Sequence, residues 1–521
     1  MGYDLMNVGQ FLARNARYWP SQPAVLYRDR VLSYRDLDTR SNRLANALLG
    51  LGLTRGDRVA AIAWNRPELV ELECALFKSG LVKVILNARL SDEEIRDCIL
   101  NSEPAVMLVG PEHRERVQNL ADIPPLRLIA FGEAQAGCLD YEDLLRQASS
   151  TNPDAQLDPR ELAVLHYSSG STGKQKAAMQ TVGNRMTSVR KVVMGRLRCE
   201  PGEVLALSGP VSHASGMFMQ PWLAQGGTLL LLDRFEPDAL LAAVARHRAA
   251  ATFLVPTMIS AILADGALKR HDHSSLRMVN YGAAPMAQSR VKEAWEAFGP
   301  VLAQGYGAGE TTGGLVLLTS ADHRRAIEQG REELLLSCGR NFSESRVELL
   351  DDAGNTVAPG DIGEICVRGP DVFAGYWREP ELTRAALVDG WLHTGDLARM
   401  DDEGYIFIVD RKKDMVVSGG FNVYPAEVEQ ALYRHPAVQD ACVVGVPDAH
   451  WGEAVKAVVV LRTGQAANEA ELIEHCGRHL ANFKKPRSVD FVEALPRNPN
   501  GKLSRKELKA RYWEGQARMV N

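Results

Sequence analysis

The chain is organised around Tyr167-Ser168-Ser169-Gly170-Ser171-Thr172-Gly173-Lys174-Gln175-Lys176, which combines two glycines, four small hydroxyl residues and two lysines. It follows Ala163-Val164-Leu165-His166, a short apolar run that predicts a buried strand. Glycines let several backbone N–H groups point into one concavity, the hydroxyls add donors, and the lysines add positive charge. The stretch therefore predicts a phosphate-binding loop that follows a strand. Local chemistry leaves a flexible surface loop open as the alternative.

Two well-known loops with similar composition are excluded by spacing. The sequence contains no G-x-x-x-x-G-K-[ST], so the stretch is not an ordinary P-loop. It also contains no G-x-S-x-G, so neither Ser169 nor Ser171 is placed as a hydrolase nucleophile.

The segments before this stretch alternate between helix and strand patterns. Ser33 and Ser91 are placed to cap helices, and Pro67 is placed in the first turn of another. The apolar runs 58–63 and 82–86 predict buried strands between them. Such alternation predicts helices on both faces of a largely parallel sheet.

The rest of the chain divides by pattern. We predict a connecting region over 110–160, a second βα region over 161–330 and a strand-rich region over 340–410. From Asp414 onward the pattern predicts a separate α+β unit. The predicted fold class is therefore α/β, with doubly wound sheets, a β subdomain and a small C-terminal α+β domain.

Composition narrows the class of function. With 60 basic and 65 acidic residues the net charge is −5, which gives no electrostatic case for nucleic-acid binding. No apolar run approaches the roughly 20 residues of a membrane helix, and the first residues lack a signal-peptide pattern. The eight cysteines are scattered without C-x-x-C spacing, which is typical of reduced thiols. We expect a cytoplasmic location.

Further segments carry groups that could hold parts of a nucleotide. Small residues at 281–286 would let a purine lie flat against the backbone, and Tyr306 could stack on it. Glu310 could hold a Mg²⁺ ion that bridges phosphates. Asp396 could accept hydrogen bonds from both ribose hydroxyls. Each segment taken alone is equally compatible with an ordinary turn, and the lone His213 is equally compatible with a structural role.

In order and spacing, these segments resemble the ANL adenylate-forming superfamily, which includes acyl-CoA synthetases, adenylation domains of peptide synthetases and luciferases. The matching motifs span about residues 25 to 508. They include 391–396 (W-x-x-T-G-D), 418–429 (G-G-x-N-V-Y-P-x-E-V-E) and 496–505 (P-R-N-x-x-G-K-x-x-R). The chain departs from the family pattern at Gln175, Ala177 and Gly309, where Pro, Gly and Thr are usual.

The resemblance implies a role for each motif residue. Lys502 would be the catalytic lysine, Glu310 the Mg²⁺ ligand, and His213 a residue at the mouth of the acyl pocket. The pocket would be lined by His213, Met217, Phe218, Ala308 and Gly309. The ATP and coenzyme A contacts would come from Ser168, Ser169, Gly170, Ser171, Thr172, Gly173, Lys174, Lys176, Gly282, Ala283, Ala284, Gln304, Gly305, Tyr306, Gly307, Thr311, Asp396, Ile408, Arg411, Lys413, Gly419 and Gly420.

The implied domains are an AMP-binding N-terminal domain over 1–412, with its β subdomain at about 335–410, and a C-terminal lid over 413–521 that pivots at Lys413. The implied reaction is two-step ligation of a carboxylic acid to coenzyme A, with an acyl-adenylate as the intermediate. The resemblance also suggests a homodimer.

The acid and the acceptor stay open. Because the pocket segments carry no obvious cation, we expect an apolar acid, first a medium- or long-chain fatty acid and next an aryl acid. A carrier-protein-loading enzyme, a luciferase-like oxidase and a non-catalytic nucleotide-binding paralogue are the alternatives. The paralogue is favoured by Gln175, Ala177 and Gly309 and is opposed by four intact motif residues, Glu310, Asp396, Arg411 and Lys502.

Overall fold

The structure is a computed structural model that describes residues 8–132, 136–169, 175–196, 198–418, 420–448, 450–497 and 503–514. Its contacts divide the chain into two units. The first unit comprises 1–285, 290–346 and 367–392, and the second comprises 286–289, 347–366 and 393–521.

The regular elements alternate along most of the chain. Up to residue 147 they are α1 (Val8–Tyr18), β1 (Pro23–Tyr27), β2 (Arg30–Ser33), α2 (Tyr34–Gly50), β3 (Arg58–Ile62), α3 (Pro67–Ser79), β4 (Val82–Leu86), α4 (Asp92–Ser102), β5 (Val106–Val109), α5 (Arg114–Gln118), β6 (Arg127–Ala130), β7 (Cys138–Asp140) and α6 (Tyr141–Gln147). Up to residue 341 they are β8 (Leu162–Ser169), β9 (Gln175–Thr181), α7 (Val182–Lys191), β10 (Val204–Leu207), α8 (Met219–Ala224), β11 (Thr228–Leu231), α9 (Pro237–His247), β12 (Ala251–Leu254), α10 (Pro256–Asp265), β13 (Met278–Gly282), α11 (Gln288–Phe298), β14 (Leu302–Ala308), β15 (Gly313–Leu318), α12 (Ser320–Glu328) and β16 (Arg340–Asn341).

The last third is richer in strands. Its elements are β17 (Arg346–Leu350), β18 (Ile362–Arg368), α13 (Pro380–Ala386), β19 (Leu387–Val388), β20 (Trp391–Met400), β21 (Ile406–Arg411), β22 (Val416–Ser418), β23 (Phe421–Val423), α14 (Pro425–Tyr433), β24 (Val438–Asp448), β25 (Gly452–Leu461), α15 (Glu469–His479), β26 (Ser488–Phe491) and α16 (Arg505–Trp513).

Two large sheets lie in the first unit. The seven-stranded sheet has the order β7-β6-β5-β3-β4-β8-β9 and is parallel except for the edge pair β8–β9. The nine-stranded sheet has the order β16-β15-β14-β13-β12-β10-β11-β1-β2, with a parallel centre and antiparallel edges. Parallel strands joined through helices produce this doubly wound arrangement.

Both faces of the seven-stranded sheet are buried. Along β3, Val59 and Ala61 belong to one apolar core cluster, whereas Ala60 and Ile62 belong to another. The first cluster takes in side chains of α2 and α3, and the second takes in side chains of α4. Because successive strand residues point to opposite faces, a sheet covered on both sides needs the continuous apolar runs that the sequence shows.

The second unit contains two smaller sheets. β17, β18, β20 and β21 follow one another in the first, and the other has the order β23-β22-β25-β24 with β26 beside β25. Along β24, Ala441 and Val443 pack in a cluster that includes side chains of α14 and α15, and Cys442 and Val444 pack in a cluster that includes Leu508 of α16.

The predicted α/β fold class is confirmed, as are the helix starts. Ser33 and Ser91 each close a capping box, and Pro67 is the first residue of α3. The connecting region predicted over 110–160 is wrong, because β6 and β7 extend the parallel sheet there. These strands have only four and three residues, which is too short for a clear periodic signal.

Within the described residues, no helix is both long and apolar enough to cross a bilayer. In the same part of the chain, no disulfide joins the eight cysteines, and all but Cys138 are buried.

Candidate active site

The predicted phosphate loop lies between two antiparallel strands. β8 ends at Ser169 and β9 begins at Gln175, with Ser168 opposite Lys176 in the strand register. The predicted loop residues Gly170, Ser171, Thr172, Gly173 and Lys174 lie outside the described residues.

Gln175, one of the departures from the family pattern, has a defined partner. Its Nε2 donates to Oε1 of Glu94 at 2.9 Å. The other carboxylate oxygen of Glu94 accepts from the backbone N–H of Ser91 in the capping box of α4. Gln175 therefore joins the start of β9 to the N-terminus of α4.

Tyr376 connects Glu310 with Lys176. Its hydroxyl donates to Oε1 of Glu310 at 2.8 Å, and the Lys176 ammonium lies 5.3 Å from the centre of its ring. The backbone N–H of Phe373 also donates to the carbonyl of Glu310 at 2.9 Å. The structure thus brings the predicted metal ligand and one predicted phosphate-binding lysine to the same aromatic side chain. Sequence reasoning missed Tyr376, since nothing local marks it as functional.

The two predicted adenine segments are neighbours. Gly282 at the end of β13 pairs with Gly305 of β14, and a Cβ atom at Gly282 would lie 2.2 Å from the Gly305 carbonyl oxygen. Ala283 follows with a φ of 65°, in the left-handed region. Strand β14 also contains the other predicted residues of this segment, Gln304, Tyr306, Gly307 and Ala308. Ala284 lies just after the end of β13.

Thr311 holds the turn between β14 and β15. Its hydroxyl accepts from the backbone N–H of Ala308 at 2.8 Å and donates to the carbonyl of Gly313 at 2.9 Å. A hydroxyl used in this way has its donor committed to the backbone. If Thr311 is to contact ATP, as the resemblance implies, its hydroxyl has to give up one of these backbone hydrogen bonds.

Gly309 makes room for His166. A Cβ atom at Gly309 would lie 2.6 Å from Cδ2 of His166, closer than real Cβ contacts come. The ring of His166 also packs edge-on against the ring of His213, with 5.6 Å between the ring centres. His166 thus occupies the space that a Thr side chain would need at position 309, whereas the sequence alone places His166 only in an apolar strand.

The predicted pocket residues Met217 and Phe218 have different surroundings. Phe218 is buried in the core of the first unit, with its ring centre 5.1 Å from that of Phe253. Met217 lies in the short 3₁₀ helix Ala214–Phe218, and its sulfur is 2.9 Å from Nη1 of Arg185. Phe218 therefore packs as core, whereas Met217 contacts a cation.

That cation is a functional candidate which the sequence analysis did not include. Arg185 lies on α7 and is 2% exposed. Our expectation of an apolar acid depended on the lack of an obvious cation in the pocket segments, and Arg185 lies in none of them. A single arginine on a helix carries no pattern, so only the three-dimensional structure brings it to Met217.

The predicted ribose residues meet across two antiparallel strands of the second unit. Asp396 of β20 pairs with Arg411 of β21, and Arg411 Nε lies 3.0 Å from Asp396 Oδ1. Ile408 lies on β21 and is partly exposed. Glu364 supports this pair from β18, because its Oε1 accepts from the backbone N–H of Gly395 at 2.8 Å.

A buried ion pair joins two of the C-terminal motifs, 418–429 and 496–505. Arg505 Nη2 contacts Glu429 Oε2 at 2.5 Å, and the other oxygen of Glu429 accepts from the backbone N–H of Val443 at 2.7 Å. Burial raises the pKa of Glu429, and the Arg505 guanidinium opposes that rise. Both residues belong to predicted motifs, and here they have a structural role.

The remaining predicted residues of the second unit are only partly described. Lys413 follows β21, and Gly420 lies between β22 and β23 with a φ of 81°. Gly419 and the predicted catalytic Lys502 lie outside the described residues. Arg497 and Leu503, on either side of Lys502, form a β-bridge.

With this geometry in view, comparison with known proteins decides the family. The family profile described as AMP-binding enzyme matches residues 12–377, and that of the AMP-binding enzyme C-terminal domain matches residues 427–502. The chain belongs to the AMP-binding enzyme family. The recognition of an ANL adenylate-forming enzyme is thereby confirmed.

Individual relatives cover nearly the whole chain. Feruloyl-CoA synthase from an Amycolatopsis species is 38% identical over 97% of this chain and 99% of that protein. A medium/long-chain-fatty-acid–CoA ligase from Mycobacterium tuberculosis is 34% identical over 98% of this chain and 91% of that protein. The crystal structure of ATP-bound MatB from Rhodopseudomonas palustris has a TM-score of 0.88 at 31% identity, covering 97% and 99% of the two chains.

These relatives bear on the enzyme class. The two curated AMP-binding relatives are an acid–CoA synthase and an acid–CoA ligase by name. The predicted class, an AMP-forming acid–thiol ligase, is confirmed. One relative's name specifies an aryl acid and the other's a fatty acid, so the comparisons leave the acid open.

Proposed function

We propose that this AMP-binding enzyme activates a carboxylic acid with ATP and transfers the acyl group to coenzyme A. A carboxylate oxygen forms a bond to the α-phosphorus, the bond from that phosphorus to the bridging oxygen breaks, and pyrophosphate leaves. The coenzyme A thiolate then attacks the acyl carbonyl, and AMP leaves with the carboxylate oxygen that had joined phosphorus.

The observation that carries this proposal is that the side chain of Tyr376 contacts both Glu310 and Lys176. Two anions must approach each other in adenylation, so the site needs positive charge held in fixed positions. Lys176 lies beside the predicted phosphate loop and contacts the ring of Tyr376, whose hydroxyl donates to the carboxylate of Glu310. Lys502 would supply a further ammonium between the acid and the α-phosphate.

The residues present fit a magnesium ion. Glu310 offers a hard carboxylate with one oxygen accepting from Tyr376, and Mg²⁺ in nucleotide sites is typically held by one or two carboxylates together with phosphate oxygens. Glu310 would hold the ion, which would neutralise charge on the phosphates. Tyr376 orients the carboxylate for that task.

The second unit would hold the ribose and carry the lysine. Asp396, with Arg411 beside it, would accept hydrogen bonds from the ribose hydroxyls. Rotation at Lys413 would withdraw Lys502 after adenylation and bring Gly419 and Gly420 to the thiol. The two steps need different groups around one intermediate, and a moving domain can supply them in turn.

The test is AMP release from MgATP with a panel of fatty and aryl acids, with and without coenzyme A. Sustained AMP formation that requires both an acid and coenzyme A supports the ligase and names the acid. AMP formation that requires a carrier protein or an amine instead of coenzyme A contradicts the proposed acceptor.

A matched pair of variants makes the test specific to the site. Glu310→Gln should lower AMP formation about a hundredfold or more, because a fixed charge in the transition state is lost. Glu328→Gln, at an exposed position of α12, should behave like the unmodified protein. Equal activity of the two variants would remove Glu310 from the reaction.

A further inference from the structure

A cluster of buried polar side chains lies beside the predicted acyl pocket in the first unit. Its members come from α3, β4, β9, α7 and α8, and all are less than a tenth exposed. They are Glu73, Lys83, Gln180, Arg185 and Gln220. Buried charges are costly unless they are paired, so such a cluster calls for a physical reason.

The cluster holds two cations and one carboxylate. Lys83 Nζ contacts Glu73 Oε2 at 2.5 Å, and Gln220 donates to the other oxygen of Glu73. Arg185 Nη2 reaches the Gln220 amide oxygen at 3.0 Å and stays 3.9 Å from Glu73 Oε1. Burial lowers the pKa of both Lys83 and Arg185. One carboxylate thus faces two cations, and its hydrogen bonds go to Lys83 and Gln220 rather than to Arg185.

The N–H donors of Arg185 also outnumber the acceptor atoms that the described residues offer them. Its Nη1 has the Gln180 amide oxygen at 3.3 Å and the Met217 sulfur at 2.9 Å, and a thioether is a weak acceptor. Its buried Nε has no hydrogen-bond partner among the described residues. A guanidinium normally pairs with a carboxylate through two parallel hydrogen bonds, and no described carboxylate does so here.

The cluster reaches two predicted pocket residues. Met217 contacts Arg185 directly, and Gln180 Nε2 donates to the carbonyl of Gly309 at 2.9 Å. The methyl group of Met217 lies beside Gly313, where a Cβ atom would come within 3.1 Å of it. Arg185 therefore contacts a predicted pocket residue, Met217, whose side chain is flexible.

We propose that Arg185 is a specificity-determining residue, and that the acid carries an oxygen acceptor at the end remote from its reacting carboxylate. The inference rests on the proposed function. The acceptor is either a ring hydroxyl or a second carboxylate, and it binds the guanidinium once Met217 moves aside. An alkyl terminus would leave the buried donors unsatisfied, which disfavours a plain fatty acid.

The first arm of the test uses the unmodified protein and matched acids. AMP release is compared for cinnamate and 4-hydroxycinnamate, and for hexanoate and adipate, each with coenzyme A and MgATP. The kcat/KM should be about tenfold or more higher for the oxygen-bearing member of at least one pair. Preference within the first pair identifies a ring hydroxyl, and preference within the second a carboxylate. Preference for the unsubstituted member of both pairs, or no preference in either, overturns the inference.

The second arm removes the cation. Arg185→Met should lower kcat/KM for the preferred oxygen-bearing acid to about that for its unsubstituted partner, so that the preference is lost. The matched control is Arg190→Met on the same helix, where the arginine pairs with Glu344 and is about half exposed. A preference that survives Arg185→Met shows that Arg185 only ties the helices together, and this overturns the inference.

The same experiments distinguish failure of the proposed function from failure of this inference. If no acid of any kind supports AMP release, the ligase proposal fails and the inference falls with it. If only the unsubstituted acids support AMP release, the inference alone is overturned. Should Arg185→Met not fold, as judged by thermal melting, the matched acids on the unmodified protein decide the question.

Discussion

The Tyr376 hydroxyl donates a hydrogen bond to Glu310, and this contact places an acidic residue of the β14–β15 turn against the segment that runs beside β9. Residues 374, 375 and 377 exchange backbone hydrogen bonds with Ala177 and Met179 of β9, so the aromatic ring is held on a fixed backbone. Glu310 is thus oriented by a residue distant in sequence.

Tyr376→Phe should weaken the use of MgATP. Loss of a hydrogen bond to a charged group costs about 1.5–3 kcal/mol, which corresponds to a rise of about tenfold or more in the KM for MgATP. Steady-state AMP release measures it. Tyr512→Phe is the control, since it removes a hydrogen bond from a tyrosine to Asp490 in the second unit. An unchanged KM in Tyr376→Phe would show that the Glu310 carboxylate needs no orientation.

Glu364→Gln should reduce the affinity for ATP, because Glu364 supports Asp396 and Arg411, the two residues proposed to bind the ribose. Glu364 accepts from Gly395 N–H and lies 3.1 Å from His393 Nδ1, so it fixes the turn that presents Asp396. We expect about a tenfold rise in the Kd for ATP, measured by calorimetry. The control is Asp352→Asn, at a carboxylate that is 91% exposed. Equal affinity in both variants would contradict a positioning role for Glu364.

Introducing the family's usual threonine at position 309 should lower the stability of this protein. Gly309→Thr would push a Cβ atom into His166, and overpacking of this kind costs about 1–3 kcal/mol. The melting temperature should fall, and the double variant Gly309→Thr with His166→Ala should recover it. If the single variant melts like the unmodified protein, the two positions are not coupled.

His323 should make stability depend on pH. It is buried, its Nδ1–H donates to the Thr319 carbonyl at 2.8 Å, and its Nε2 lies 2.8 Å from the Tyr281 hydroxyl oxygen. Burial lowers the pKa of His323 from 6.5 to about 4. The folded state therefore binds fewer protons than the unfolded state between these values. The stability that His323 contributes is complete above pH 6.5 and is lost as pH falls towards 4, by about 3 kcal/mol.

Urea unfolding at pH 4.5, 5.5 and 7 measures this dependence. His323→Gln should show a shallower loss of stability on acidification than the unmodified protein, because the titrating group is gone. His479→Gln, at an exposed position, should keep the original slope. A His323→Gln slope equal to that of the unmodified protein would contradict the assignment.

Sequence predicted the framework well because its signals are local. The caps at Ser33 and Ser91 and the apolar run of β4 are each contained within a few neighbouring residues. The short strands β6 and β7 were missed because three or four residues cannot establish a period.

The site was only partly predictable, for a different reason. Asp396 belongs to a recognisable motif, and Arg411, which the resemblance also assigns to the nucleotide site, pairs with it in the structure. Tyr376 contacts Glu310 and Arg185 contacts Met217, each more than thirty positions away, and no spacing rule connects such pairs. His166 was assigned to an apolar strand, although its ring occupies the space left by Gly309.

Exchange of labelled pyrophosphate into ATP, without coenzyme A, tests adenylation most directly. Exchange should require an acid, because only reversal of acyl-adenylate formation returns pyrophosphate to ATP. Lys502→Ala should lower the rate about a hundredfold to a thousandfold, whereas Lys506→Ala, at an exposed position of α16, should exchange like the unmodified protein. Exchange that needs no acid, or that persists at full rate in Lys502→Ala, would contradict an adenylating enzyme that depends on this lysine.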